Sequence, residues 1–150
     1  MALKERINDD LKTALLGGNR FEAEVLRGLK AAVLNEEVSS GKRDEGLDDA
    51  SIEVIVAREV KKRNESKALY EQNGRPELAE TEEKEAAVLA SYLPAQMSEG
   101  EIQAAITDVI AELGASSPQD MGRVIGAVKA KLGNTASGAV VADLVKKTLS

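Results

Sequence analysis

Apolar residues recur at three- and four-residue spacing along almost the whole chain, and no stretch alternates apolar with polar. That periodicity suits amphipathic helices and leaves no place for half-buried strands. The apolar residues are also of one kind. The chain is 43% hydrophobic but only 2% aromatic, with Phe21, Tyr70 and Tyr92 as its rings and no Trp. A core must therefore be built from Leu, Ile, Val and Ala, which favours helix-on-helix packing. The expected fold is all-α: an N-terminal domain of about four helices over residues 1–93, then a small three-helix domain over residues 98–150.

Turn and cap residues divide the pattern. A first helix over Ala2 to Leu16 carries Leu3, Ile7, Leu11, Ala14 and Leu15 inward and stops at Gly17-Gly18. Asn19 caps a second helix from Arg20 to about Val38, with Phe21, Val25, Leu29 and Val33 on its inner side. A long third helix starts at Asp48 or Asp49 and runs to about Asn73. Pro76 opens a fourth that ends near Ser91 or Tyr92. Pro94 to Met97 breaks the periodicity, and Ser98 with Glu101 forms a capping box for a fifth helix. Ser117-Pro118 starts a sixth helix, closed by Gly133-Asn134, and Ser137 caps a seventh.

Much chemistry is excluded. With no Cys and no His, there are no disulfides, thiol nucleophiles, imidazole bases or Cys/His zinc sites. Ser40-Gly41-Lys42 is not a phosphate loop, because position 36 is Glu and Arg43 stands where a Ser or Thr would bind magnesium. Glu82 and Glu85 alone make a poor metal site, so neither a metal nor a cofactor is expected. The charged start MALKERINDD lacks the apolar run of a secretory signal, and no stretch is long enough to span a membrane. A soluble cytoplasmic protein is the expectation.

Charge singles out the C-terminal stretch. Met121 to Leu149 holds Arg123, Lys129, Lys131, Lys146 and Lys147 against Asp143, a local charge of +4 in a chain of net charge −6. The turn from Gly133 to Gly138, which holds Asn134, reads either as simple helix termination or as an anion site, where free N–H groups at the start of the seventh helix beside Lys129 and Lys131 would receive a phosphate. On an ideal helix Lys129 and Lys131 diverge by roughly 200°, so only one faces a given ligand unless the helix end frays. Gly122 and Gly126 each cost roughly 1 kcal/mol relative to Ala inside a helix. Close approach of a neighbouring helix is the leading reading of that cost, and close approach of an RNA backbone is the other. Arg58, Lys61 and Lys62 form a secondary basic stripe, read chiefly as a solvated face. Glu59 and Arg63, four apart on the apolar side, read as a half-buried ion pair.

The segments LRGLKAAVLNEE (26–37), REVKKRNES (58–66), YLPAQMSEGEI (92–102) and MGRVIGAVKAKLGNTASG (121–138) resemble, in order, those of free-standing GatB/YqeY-family proteins. The resemblance implies an N-terminal helical domain, a three-helix C-terminal domain, and kinship with the tail of the GatB subunit of tRNA-dependent amidotransferase, which resembles a tRNA-gripping module. The amidase and ATP-using parts of that enzyme are absent, so the family label of carbon–nitrogen ligase with glutamine as amide donor does not imply catalysis by this chain alone. The leading expectation is a non-catalytic tRNA-binding or tRNA-enzyme accessory protein. A helical adaptor for an aminoacyl-tRNA synthetase or amidotransferase is the second reading, and an amidotransferase component active only in complex is the third.

Overall fold

A computed structural model describes residues 2–150 and contains seven α-helices, with no strand among the described residues. They are α1 (Leu3–Leu16), α2 (Arg20–Ser39), α3 (Asp49–Gln72), α4 (Pro76–Ala90), α5 (Glu99–Leu113), α6 (Met121–Leu132) and α7 (Gly138–Leu149). Short 3-10 turns at Pro118–Asp120 and Gly133–Thr135 lead into and out of α6. The chain forms two compact units, one ending at Leu93 and the other spanning Pro94–Ser150.

Local chemistry sets the helix starts. The Asn19 side chain accepts the N–H of Glu22 at 3.1 Å, and Asp48 Oδ1 accepts that of Ser51 at 2.9 Å. Ser98 Oγ accepts the Glu101 N–H at 3.2 Å, while the Glu101 carboxylate accepts the Ser98 N–H at 3.3 Å. Each bond satisfies a donor that the first turn of a helix leaves open. Ser137 differs: it holds the N-cap position of α7, but its side chain makes no capping hydrogen bond. The expected cap is missing there.

In the first unit, α1 pairs with α2 and α3 pairs with α4, and the core is sealed by Leu26, Leu29, Ile52 and Leu89. Two residues expected inside lie outside. Leu15 is 50% exposed, because it stands at the trailing edge of the α1 stripe where the helix runs out into its glycine turn. Phe21 is 41% exposed, because burial of Ala23, Leu26 and Glu37 rotates the inner face of α2 away from it. The α3–α4 pair is joined beyond the core by charge. Arg63 donates to Glu59 at 3.0 Å and approaches Glu85 of α4 at 3.7 Å, both pairs being largely shielded from water. Tyr92, buried just past α4, donates its hydroxyl to Asp10 at 2.6 Å, and its ring lies under the Arg6 guanidinium at 4.7 Å.

The buried carboxylate of Glu37 ties the loop after α2 to the helices. It accepts Lys4 Nζ at 2.8 Å and the Leu47 N–H at 3.0 Å. The Lys4 hydrogen bond, aided by the Leu47 N–H, outweighs burial and holds the Glu37 pKa below its ordinary value of 4.5. Gly46 lets the loop come this close: its φ is +77°, and a Cβ there would lie 3.3 Å from Glu37 Oε2.

In the second unit, Ile106 of α5, Val124 and Val128 of α6, and Val141 and Val145 of α7 form the sealed centre. The segment before α5 is part of this unit. The Met97 N–H bonds the Thr135 carbonyl at 2.9 Å, and Gln96 Nε2 bonds the Asn134 carbonyl at 3.0 Å.

Two measurements follow. Arg63→Ala should cost about 1 kcal/mol or more beyond Arg58→Ala in urea unfolding, because it removes one of the two cations on the half-buried Glu59 and takes the cation from Glu85; equal losses would make Arg63 an ordinary surface residue. Lys4→Met should destabilise by about 1–3 kcal/mol at neutral pH, by leaving a buried carboxylate short of its partner. A lowered carboxylate pKa contributes stability above the unfolded value of about 4.5 and loses it as pH falls through the folded value. The gap between wild type and Lys4→Met should therefore close on acidification below 4.5, and a gap independent of pH would contradict this role of Glu37.

Candidate functional site

Burial of Val124 and Val128 fixes the rotation of α6 and so determines what faces outward. Gly122, Gly126 and Lys129 follow one another at intervals of four and three residues, within a sector of about 60° of α6. Gly122 and Gly126 are exposed, and a Cβ built on either meets nothing within 4 Å. The expected close approach of a neighbouring helix is therefore absent. These glycines bare the outer backbone of α6.

At the end of this bare line the Lys129 side chain bends over the start of α7. Its Cε and Nζ lie 3.2 and 3.3 Å from where a Cβ would stand on Gly138, the first residue of α7. The α7 N-terminus carries about half a positive charge from its unpaired N–H groups, and a Ser side chain would ordinarily take one of them. Here the Ser137 side chain takes none, and a full ammonium charge stands close by instead. Two positive groups at close range favour an anion between them.

The other cations are arranged differently. Arg123 is engaged by Asp120 at 3.2 Å and reaches the Leu113 carbonyl at 3.5 Å. The N–H groups of Ser116 and then Ser117 hold the Asp120 pKa below its ordinary value, with Arg123 adding to the effect. Lys147 pairs with Asp143 at 3.2 Å. Lys131 and Lys146 are exposed and form no ion pair among the described residues. Because α6 stays helical to Leu132, Lys131 keeps its roughly 200° divergence from Lys129 and does not join it. Asn134 sits in the 3-10 turn between α6 and α7, with its carbonyl accepting from Gln96. In the first unit Arg58, Lys61 and Lys62 are all exposed, Lys62 bonding Glu59 at 3.0 Å and Lys61 lying 3.9 Å from Glu65. Gly138 ends the turn expected either to terminate a helix or to receive an anion, and the structure adds that Lys129 lies against it. Among the described residues no cluster of three or more acidic side chains could hold a metal ion, and no helix is long and apolar enough to cross a membrane.

Two helical units, the second bearing an ammonium group over an uncapped helix start beside a bare helix face, define a small all-α protein with a candidate anion site. The chain belongs to the Yqey-like protein family, whose sequence model matches residues 4–149. Among curated proteins it is similar to "Altered inheritance of mitochondria protein 41, mitochondrial" of Lachancea thermotolerans, 29% identical over 115 residues, covering 75% of this chain and 60% of that protein. The Kluyveromyces lactis protein of the same name matches with the same identity and coverage. That of Clavispora lusitaniae is 27% identical over 129 residues, or 85% of this chain and 72% of its own length. The chain thus spans about 60% of the length of the first two relatives.

These relatives correct the cytoplasmic expectation, since each is named as a mitochondrial protein. The physical basis of that expectation was too weak to carry it. A charged N-terminal stretch without an apolar run argues against a secretory signal but does not discriminate among the remaining compartments.

The glycine line generates its own test. Gly122→Ala and Gly126→Ala should each raise stability, by up to about 1 kcal/mol, because the new methyl meets open space and helix propensity improves. Destabilisation by either change in thermal unfolding would mean that the bare face is packed in solution.

Proposed function

We propose that the protein is a non-catalytic accessory that binds RNA phosphate, with tRNA as the RNA. The second unit, residues 98–150 with its strapped leading segment, is in this reading the RNA-binding domain, and residues 1–93 form a separate domain. The observation that carries the reading is Lys129 poised over the uncapped start of α7 beside the bare glycine face of α6. Phosphate contacts are made by Lys and Arg, by backbone N–H groups and by helix N-termini, and all but Arg are present at this one point. Bare glycine backbone would let a sugar-phosphate chain lie close against the helix. The Yqey-like family's relation to the GatB tail supports RNA as the source of the phosphate. Scarcity of aromatic rings suits recognition of backbone rather than stacking on bases. Arg123, Lys131, Lys146 and Lys147 shape the field around it, and Asn134 stands in the turn that leads to it. Screening acts over about 8 Å at physiological salt, so the local positive charge can operate in an acidic chain.

Binding of a tRNA pool should be measured across a salt series with the intact protein. Lys129→Glu should weaken binding severalfold and flatten the salt slope by about one phosphate contact. Lys131→Glu, on the other side of α6, should do less. Absence of tRNA affinity at low salt would overturn the proposal, as would equal effects of the two reversals.

A further inference from the structure

We infer that the strap Pro94–Met97 regulates the candidate phosphate site: clasped onto the α6–α7 turn it holds the start of α7 against Lys129, and released it lets the two part. This deepens the phosphate reading of that site and rests on it. Every contact of the clasp lies within the second unit.

Residues 133–137 carry the chain from α6 into α7. The near side of this turn is fixed to α6. The Thr135 hydroxyl donates to the Leu132 carbonyl at 2.6 Å, filling an acceptor that the last turn of a helix leaves open. Gly133 makes the reversal at φ +57° and ψ −136°, a backbone that a side chain would strain. The far side has no such tie from Ser137, whose side chain makes no capping bond at the start of α7. The strap supplies the hold instead. It takes two consecutive carbonyls of the turn, Gln96 Nε2 donating to Asn134 at 3.0 Å and the Met97 N–H to Thr135 at 2.9 Å. Gly138, which meets the Lys129 ammonium, follows within a few residues. Its place therefore depends on a side chain 38 positions before Asn134.

The clasp is also built to open. Met97 packs against the second core, but Gln96 is exposed, and water competes for its bonds. Gln96 Nε2 donates to the Pro94 carbonyl as well, at 2.8 Å, which ties the strap to itself. On the other side Leu93 packs against the first core, so Pro94 and Ala95 alone separate the two anchorages. Two residues span at most about 7 Å when extended, which leaves little slack. A load on the first unit is thus delivered to Gln96 and from there to the turn. A strap that only completed the packing of the second unit would account for Met97, and loosening it would lower stability without changing affinity for phosphate.

The test uses the intact protein and Gln96→Met, which keeps the side chain's length and removes its donors. Nuclear Overhauser contacts between the Lys129 methylenes and the Gly138 α-protons should be present in free wild type and lost in the variant. Thermal unfolding should change little, because Gln96 is exposed. Affinity for a tRNA pool should fall about two- to tenfold, the worth of one hydrogen bond. In a Lys129→Ala background the same substitution should leave affinity unchanged. Persistence of the contact in Gln96→Met overturns the regulation and leaves the RNA reading standing. So does a variant that loses the contact yet binds as wild type does, or one that weakens binding equally with and without Lys129. Absence of the contact from wild type overturns it as well. A wild type that shows the contact but has no tRNA affinity at low salt overturns the RNA reading, and the regulation with it.

Discussion

The protein depends on burying narrow aliphatic stripes. Without tryptophan and with three aromatic residues in all, neither unit can seal its core with a few large rings. Each helix instead contributes branched side chains and alanines on one side, and stability scales with the area removed from water, about 25 cal/mol per Å². Small side chains let helices approach closely, as Ala79 and Ala86 do where α4 lies on α3. They also limit how far a core extends. The buried residues of α3 are Ile52, Ile55 and Val56, all in its first third. Beyond them, the contact with α4 passes to ionic groups, first Arg63 with Glu59 and Glu85, then Lys67 at 3.5 Å from Glu83.

That progression explains which parts of the structure could be read beforehand. Helix identity and limits were legible because periodicity, glycine turns and cap residues are local: Asn19, Asp48 and Ser98 act within three residues of themselves. The Glu59–Arg63 pair was legible for the same reason, being separated by one helical turn. What failed were inferences about neighbours. The side a helix buries is a property of its partners, so Leu15 and Phe21, at the edges of otherwise correct stripes, turned outward. The glycines of α6 were expected to meet another helix, yet spacing within a helix holds no information on whether one is there. Glu37 illustrates the reverse case. An acid in the run LNEEV looks solvated, and its burial becomes economical only when Lys4, 33 residues earlier, and the Leu47 N–H arrive together.

The candidate site was half legible. A surplus of bases beside a helix start can be seen in sequence, but their division into engaged and free cations cannot. Arg123 and Lys147 are taken by Asp120 and Asp143, and Lys131 points elsewhere, which leaves Lys129 as the cation at the α7 start. The number of basic residues therefore overstates the local field, while the uncapped helix end, invisible in a charge count, adds to it.

Departures from local rules in the second unit are not scattered. Two glycines inside α6 forgo helix stability, an N-cap serine leaves its helix uncapped, and a lysine is placed at the wrong end of a dipole. Any one of these is an ordinary imperfection worth about 1 kcal/mol or less. Together they burden a unit of modest core, in a class of molecule whose entire stability is about 5–15 kcal/mol. They also share one place: the two glycines and Lys129 lie in one sector of α6, and Lys129 lies against Gly138, the residue after Ser137, at the start of α7. The inward faces of the same helices break no such rule, with Val124, Val128, Val141 and Val145 fully sealed. Natural sequences tend to violate local consistency where something other than folding is selected. Random drift would distribute such costs over the unit, whereas here they gather on one face of α6 and at the start of α7.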